Sequence, residues 1–128
     1  MRSLLIDVEN AEVKEIEVNS IDDFYKYINC STIDIVGRYI GDEKRLYSIV
    51  IDDNGALKEN AIPSAINLVD IMLYGNLVIT KKGDIDEELQ LTEHDIDYLY
   101  RYIRTGYKIV ENNVKEYPIL VHVNYFKD

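Results

Sequence analysis

Apolar and polar positions along the chain fall into two alternating periods. Ser3 to Val8 is a short apolar run, Asn10-Ala11 offers a turn, and Glu12 to Val18 sets Val13, Ile16 and Val18 against Glu12, Lys14, Glu15 and Glu17. Alternation with period two marks a half-buried strand, so this stretch predicts a hairpin. The slip between Val13 and Ile16 predicts a β-bulge. The period then changes: Phe24, Tyr27 and Ile28 recur at i, i+3, i+4 behind Ser20, with Asp22 and Asp23 in the first turn. That is a capped amphipathic helix, ended by Asn29 in the left-handed conformation.

Thr32 to Ile40 returns to a strand pattern, with Ile33 and Ile35 on one face, and Gly41-Asp42-Glu43-Lys44 reads as a turn. Arg45 to Asp52 is dense in Leu46, Tyr47, Ile49, Val50 and Ile51, which predicts a central strand covered on both sides. Asp53-Asn54-Gly55 is the strongest turn signal, because Asn-Gly readily supplies positive φ. From Lys58 to Asp70 the pattern is irregular. Pro63 forbids a central strand there, and Ser64 suits the cap of a brief helical turn. Ile71 to Thr80 is strand-like, with a bulge or a close backbone approach at Gly75-Asn76.

Beyond an acidic connection from Lys81 to Leu91, Thr92 caps a helix whose apolar residues Ile96, Leu99, Tyr100 and Ile103 fall at i, i+3, i+4, i+7, and Gly106 closes it. Tyr117 to Phe126 alternates again and predicts one late strand, at a sheet edge or in a dimer. Together these elements predict a single α+β domain over residues 1–128. Its mainly antiparallel sheet has about five or six strands with two helices on one face. The C-terminal strand is placed to form a homodimer with a symmetric copy.

Charge changes the picture of partners. The 128 residues carry a formal net charge of −10. That argues against direct nucleic-acid binding and against anionic membranes. It suits a basic protein partner, mimicry of nucleic-acid charge, or plain solubility. Eleven tyrosines without a tryptophan favour core edges and sheet surfaces, or a binding face. Cys30 is the only cysteine, so no intrachain disulfide forms, which fits a reducing cytoplasm. Flanked by Asn29, Ser31 and Thr32 with no nearby histidine, it reads as a small buried apolar residue and not as a nucleophile. The N-terminal apolar run is too short for a signal peptide. No segment reaches the roughly 20 apolar residues that span a bilayer. The expectation is a soluble, cytoplasmic protein.

Candidate chemistry is sparse. Asp84, Asp86, Glu87, Glu88, Glu93, Asp95 and Asp97 form the densest charge cluster. An EF-hand register starting at Asp84 puts Leu89 where the invariant glycine belongs and fails. A loop feeding a helix N-terminus explains the same residues. His94 and His122 lie far apart, without His-Glu-x-x-His spacing, and neither a phosphate loop nor a Gly-x-Ser-x-Gly elbow is present. The chain therefore predicts no catalytic residue, no metal and no cofactor. The one compact basic-aromatic group is Tyr98, Arg101, Tyr102 and Arg104, able on a helix face to clamp a nucleotide phosphate or a carboxylate. Dipole complementation and pairing with Asp95 or Asp97 are the simpler account of it, each being local. Asn76, in the Gly75-Asn76 kink, and the loop from Lys58 to Asp70 form a second candidate ligand edge.

The order of motifs carries a resemblance. Leu4-Leu5-Ile6-Asp7 and the Ser20-led helix are followed by Cys30-Ser31-Thr32-Ile33-Asp34-Ile35-Val36 and Val50-Ile51-Asp52-Asp53-Asn54-Gly55. Then come Pro63-Ser64-Ala65, Gly75-Asn76-Leu77 and Leu91-Thr92-Glu93-His94-Asp95-Ile96. In this order the chain, from about Arg2 to Arg104, resembles an uncharacterised domain family of unknown function carried by phages, plasmids and integrative elements of Gram-positive anaerobes. Residues from about Thr105 onward extend beyond that pattern. The resemblance implies a habitat and no catalytic residue. With the acidity, it points to a non-enzymatic binding protein of a mobile element. Such a protein would interfere with a host defence process by binding a basic protein or sequestering a nucleotide-like ligand. The alternatives are a metal-dependent enzyme acting on a small phosphate compound through the acidic loop, and a structural or assembly subunit.

Overall fold

The computed structural model describes residues 1–82 and 88–126. In chain order the elements are β1 (Arg2–Asp7), β2 (Glu12–Glu17), α1 (Ile21–Ile28), β3 (Ile33–Ile40), β4 (Arg45–Asp52), β5 (Pro63–Ile66), β6 (Ile71–Tyr74) and β7 (Leu77–Lys82), then β8 (Glu88–Leu89), α2 (Glu93–Tyr100), β9 (Ile103–Val110), β10 (Asn113–Leu120) and β11 (Val123–Tyr125). The class is α+β, as the patterning predicts. The strands form two sheets. The larger runs β11-β3-β4-β7-β1-β2, with the short β8 on β7, and all its pairings are antiparallel. The smaller runs β6-β5-β10-β9. β4 is central in the large sheet, as its density of apolar residues requires.

Both faces of the large sheet are covered, and this explains the N-terminal pattern. Leu4, Ile6, Ile49, Leu77 and Ile79 face the small sheet and α2, while Leu5, Val50 and Val78 face α1. The two helices thus lie on opposite faces, not on one. Val13 packs into the first core and Ile16 into the second. The β1–β2 register runs unbroken from Arg2↔Glu17 to Asp7↔Glu12. The expected bulge is absent there: residues an odd number apart on a strand point to opposite faces, and here both faces are dry. α1 begins as expected, with Asp23 accepting hydrogen bonds from the backbone N–H groups of Asn19 (2.7 Å) and Ser20 (3.2 Å). It ends at Asn29, whose φ is 61°.

The middle of the chain departs from expectation at three points. Asn54 has φ −107° and leads into a single 3-10 turn, so the Asn-Gly pair does not supply positive φ. Gly55 is needed for space instead, since a Cβ there would sit 2.9 Å from the Tyr74 carbonyl oxygen. Pro63 opens β5, which lies between β6 and β10. As the first residue of a strand, proline forfeits little of the ladder. Gly75, at φ 80°, marks a change of sheet and not a bulge within one strand: β6 belongs to the small sheet and β7 to the large.

The C-terminal third differs most. α2 ends at Tyr100, and Ile103 starts β9. The buried face of the helix is Asp95, Ile96, Tyr98 and Leu99, with Tyr102 following, whereas Tyr100 is exposed. Ile103 continues the helical spacing by coincidence. Gly106 lies inside β9 and does not cap the helix. The expected single tail strand is split at His122, where φ is 57°. β10 stays in the small sheet and β11 becomes the edge of the large one, paired with β3 over three residues. No helix among the described residues is long and apolar enough to cross a membrane.

Candidate functional site

The basic-aromatic group is assembled only in part. Tyr98 and Tyr102 are buried, and their rings meet at 5.2 Å between centroids. The Tyr98 hydroxyl donates to the Ile40 carbonyl (2.6 Å) and accepts from the Glu43 N–H (3.2 Å); the Tyr102 hydroxyl accepts from the Asp42 N–H (3.0 Å). Both hydroxyls thus hold the turn between β3 and β4. Gly41 allows that approach: its φ is 81°, and a Cβ there would meet the Tyr98 hydroxyl at 2.2 Å. The Arg45 guanidinium carbon lies 4.3 Å from the centre of the Tyr98 ring and that of Arg101 lies 6.0 Å away. Arg104 has left the helix for β9 and donates to the carbonyls of Arg101 and Ile103. Neither Arg101 nor Arg104 has a carboxylate partner among the described residues.

Asn76 lies apart from this group, in the first turn after Gly75. It is 3% exposed, and both ends of its amide are engaged. Oδ1 accepts from the N–H groups of Val8 (2.9 Å) and Glu9 (3.3 Å), and Nδ2 donates to the Tyr27 carbonyl (3.4 Å). Asn76 thereby ties β1, α1 and β7 together. Beside it is a small cavity of about 90 Å³, walled by Asp52, Gly55, Lys58, Glu59 and Gly75. Lys58 and the buried Asp52 close one wall as an ion pair at 2.5 Å.

The acidic cluster divides. Residues 83–87 lie outside the described residues, so the reading of Asp84, Asp86 and Glu87 as metal ligands is not addressed. Glu93 pairs with Arg2 (3.0 Å). Asp95 is buried at the start of α2, where it accepts from the Thr92 N–H and hydroxyl (2.9 Å each) and from the Tyr47 hydroxyl (3.0 Å), with Lys81 Nζ at 3.4 Å. Burial alone would raise its pKa. The Thr92 donors, then Tyr47 and Lys81, outweigh that and hold the carboxyl below the ordinary aspartate value of 3.8. Burial, then the Asp95 charge, pushes the Tyr47 phenol well up. Among the described residues no group of three or more His, Cys, Asp and Glu is placed to hold a metal. Burial and the nearby Asp52 push the Cys30 thiol up, which disfavours a thiolate.

One surface open to a partner is one the patterning did not single out, the β9–β10 hairpin. Its strands join through Glu111-Asn112, both at positive φ (51° and 67°), as a two-residue type I′ turn requires. One face of the hairpin meets the body. Gly106 stands opposite Tyr117, and a Cβ at Gly106 would lie 2.7 Å from the Tyr117 ring. The buried Tyr117 side chain therefore rests over the glycine. The other face carries Tyr107, Ile109 and Val114, which are 63%, 78% and 66% exposed. Ile109 and Val114 are directly opposite each other, so the three make one apolar stripe.

The hairpin also stands clear of β5. The β5–β10 pairing is parallel and holds at one position, Ala65↔Leu120. Extended by two residues, that register would place Pro63 beside Pro118, and neither has an N–H to give. The strands diverge there. A cavity of about 570 Å³ opens between Asn60–Pro63 and the hairpin residues Tyr107, Lys108, Ile109, Val110 and Tyr117. The sequence signal for this hairpin is the alternation through Thr105, Tyr107 and Ile109 before Asn112-Asn113. The helical spacing ending at Ile103 masks it. Compared with known proteins, the chain has no match among protein-family models, curated proteins or solved structures.

Proposed function

We propose that the protein is a non-enzymatic binding protein of a phage or mobile element. It engages a host protein in the bacterial cytoplasm, and its use is interference with a host defence process. The observation that carries this reading is the uncovered outer face of the β9–β10 hairpin, where Tyr107, Ile109 and Val114 stand in solvent on a well-anchored scaffold. Contiguous exposed apolar side chains of this kind are a feature of protein-interaction sites. The formal charge of −10 supplies long-range steering toward a basic partner, and the habitat rests on the resemblance of Arg2 to Arg104.

The test is capture from a host lysate at low and at high salt, with wild type and with Val114→Asp. The wild type is expected to retain a partner at low salt, less of it at high salt, and Val114→Asp to lose it while melting at an unchanged temperature. Capture indifferent to both salt and Val114→Asp counts against the proposal. One observation favours a second reading, a nucleotide-like ligand at Tyr98, Arg101, Tyr102 and Arg104: the two guanidinium groups lack carboxylate partners among the described residues. A rise in melting temperature with a nucleoside triphosphate, lost in Arg104→Ala, supports it; no rise removes it.

A further inference from the structure

β9 is an edge of the small sheet, and among the described residues all eight of its residues pair with β10 alone. Which backbone groups face outward follows from two observations. The Val121 N–H donates to the Tyr102 carbonyl (2.8 Å). From Ile103↔Leu120 the register then runs unbroken to Val110↔Asn113 at the turn. In an antiparallel ladder, directly opposed residues alternately exchange both hydrogen bonds or neither. Arg104, Gly106, Lys108 and Val110 therefore spend their N–H and C=O groups on β10. Ile103, Thr105, Tyr107 and Ile109 turn theirs away from it. Of these, the Ile103 carbonyl is taken by the Arg104 guanidinium (3.1 Å). The others have no partner among the described residues.

We propose that β9 pairs antiparallel with β9 of a second copy, about a two-fold axis through Tyr107, which joins two four-stranded sheets into one. Charge disfavours the neighbouring register. A two-fold through Gly106 would set Arg104 opposite Lys108 at both ends, and like charges directly opposed are destabilising. A two-fold through Tyr107 sets Arg104 opposite Val110 and Lys108 opposite Gly106, so that no like charges are directly opposed. Thr105 and Ile109 then exchange ladder bonds across the axis, as do the two Tyr107 residues, for about six new bonds in all. On the outer face the two Tyr107 side chains meet, and the apolar stripe of one copy continues into that of the other. The strand has no internal proline, and its pairing with β10 has no register shift. Proline and bulges are two of the devices by which natural edges avoid pairing. β11, an edge of the large sheet, offers three residues. Each copy carries −10, so repulsion between the bodies opposes the dimer and salt relieves it.

Sedimentation over low to high micromolar protein tests this, at low and at high salt. The wild type is expected to dimerise with concentration, and more tightly at high salt. Tyr107→Pro removes an outward N–H without touching the β9–β10 ladder and is expected to stay monomeric with an unchanged circular dichroism spectrum. Because Tyr107 faces its own copy, Tyr107→Lys alone and Tyr107→Glu alone are each expected to be monomeric, and an equimolar mixture to form the heterodimer. That mixture keeps the test valid even where the proline variant does not fold. A wild type that stays monomeric throughout, a dimer that survives Tyr107→Pro, or a mixture that yields no heterodimer overturns the proposal. So does a dimer that weakens as salt is raised, which is the mark of oppositely charged surfaces.

Discussion

β2 and β9 each end a sheet, each belongs to a hairpin, and they are armed in opposite ways. β2 carries Glu12, Lys14, Glu15 and Glu17 across its six residues, and several of these charges are tied into the body. Glu15 pairs with Arg2, and Glu17 receives the N-terminal ammonium at 3.0 Å. Its two apolar residues, Val13 and Ile16, turn to opposite cores. β9 turns Arg104 and Lys108 to the side that carries Tyr117, and leaves Tyr107 and Ile109 in solvent. An edge strand is a template for another strand unless charge, proline or a bulge blocks it. β2 is blocked by charge, while among the described residues β9 is blocked only where Arg104 covers the Ile103 carbonyl. One edge thus closes the molecule and the other leaves it open.

The same substitution at the two edges separates these roles most sharply. Ile16→Asp buries a carboxylate without a partner between α1 and the large sheet and is expected to cost more than about 3 kcal/mol, enough to unfold much of the population. Ile109→Asp stands in water and is expected to change stability by less than about 0.5 kcal/mol. Urea denaturation of both reads the contrast. Equal losses would mean that the outer face of β9 is covered after all. The next effect in size concerns how β9 is held. Tyr117→Ala empties the space over Gly106 and is expected to cost about 3 kcal/mol. Gly106→Ala pushes a methyl into the same ring and is expected to cost about 1–3 kcal/mol. A hairpin that tolerated both would be fixed by its backbone ladder alone.

The sequence shows β2 clearly and β9 poorly, for physical reasons. Alternation, the Ser20 N-cap with acidic residues in the first turn, and the left-handed Asn29 are local, and each was legible because a few neighbouring residues settle it. The boundary of α2 is not local. Ile96, Leu99, Tyr100 and Ile103 fit a helical face in spacing, but burial of Tyr98 and Tyr102 against the Gly41 turn fixes which face is inward, and that turn lies far away in sequence. Likewise, a glycine at positive φ looks the same in a bulge and in a change of sheet. Gly75 could be assigned only once β6 and β7 were seen in different layers. Of the candidate site residues, Tyr98, Arg101 and Tyr102 were legible as neighbours. The hydrogen bonds that engage both tyrosine hydroxyls and Asn76 reach across the fold and leave no trace in spacing.

A smaller effect concerns the buried carboxylate at the start of α2. The Asp95 carboxyl titrates below its unfolded value in the folded protein. Its contribution is therefore fully present above the unfolded pKa of about 3.9 and is lost as pH falls through the folded pKa. Wild type is expected to lose stability on acidification below about pH 4, and Asp95→Asn to be less stable at neutral pH with a flatter acid limb. Denaturation midpoints measured across that range check the sign. An unchanged acid limb in Asp95→Asn would mean that other carboxylates govern it.

The smallest expected change in stability is also the most direct edit of the comparison. Thr105→Glu with Ile109→Glu writes the acidic alternation of β2 onto β9. Ile109 is exposed and Thr105 lies on the same face, so the folded monomer is expected to keep its stability to within about 0.5 kcal/mol per site. In the pairing about Tyr107, however, residue 105 of one copy faces residue 109 of the other. The double variant therefore opposes two pairs of like charges in the new ladder, on bodies already repelling one another. Sedimentation is expected to find it monomeric at low salt, with partial recovery of the dimer at high salt as screening weakens both terms. If the double variant pairs as well as wild type, charge is not what guards an edge in this protein. The contrast between β2 and β9 would then have to rest on shape and strand length.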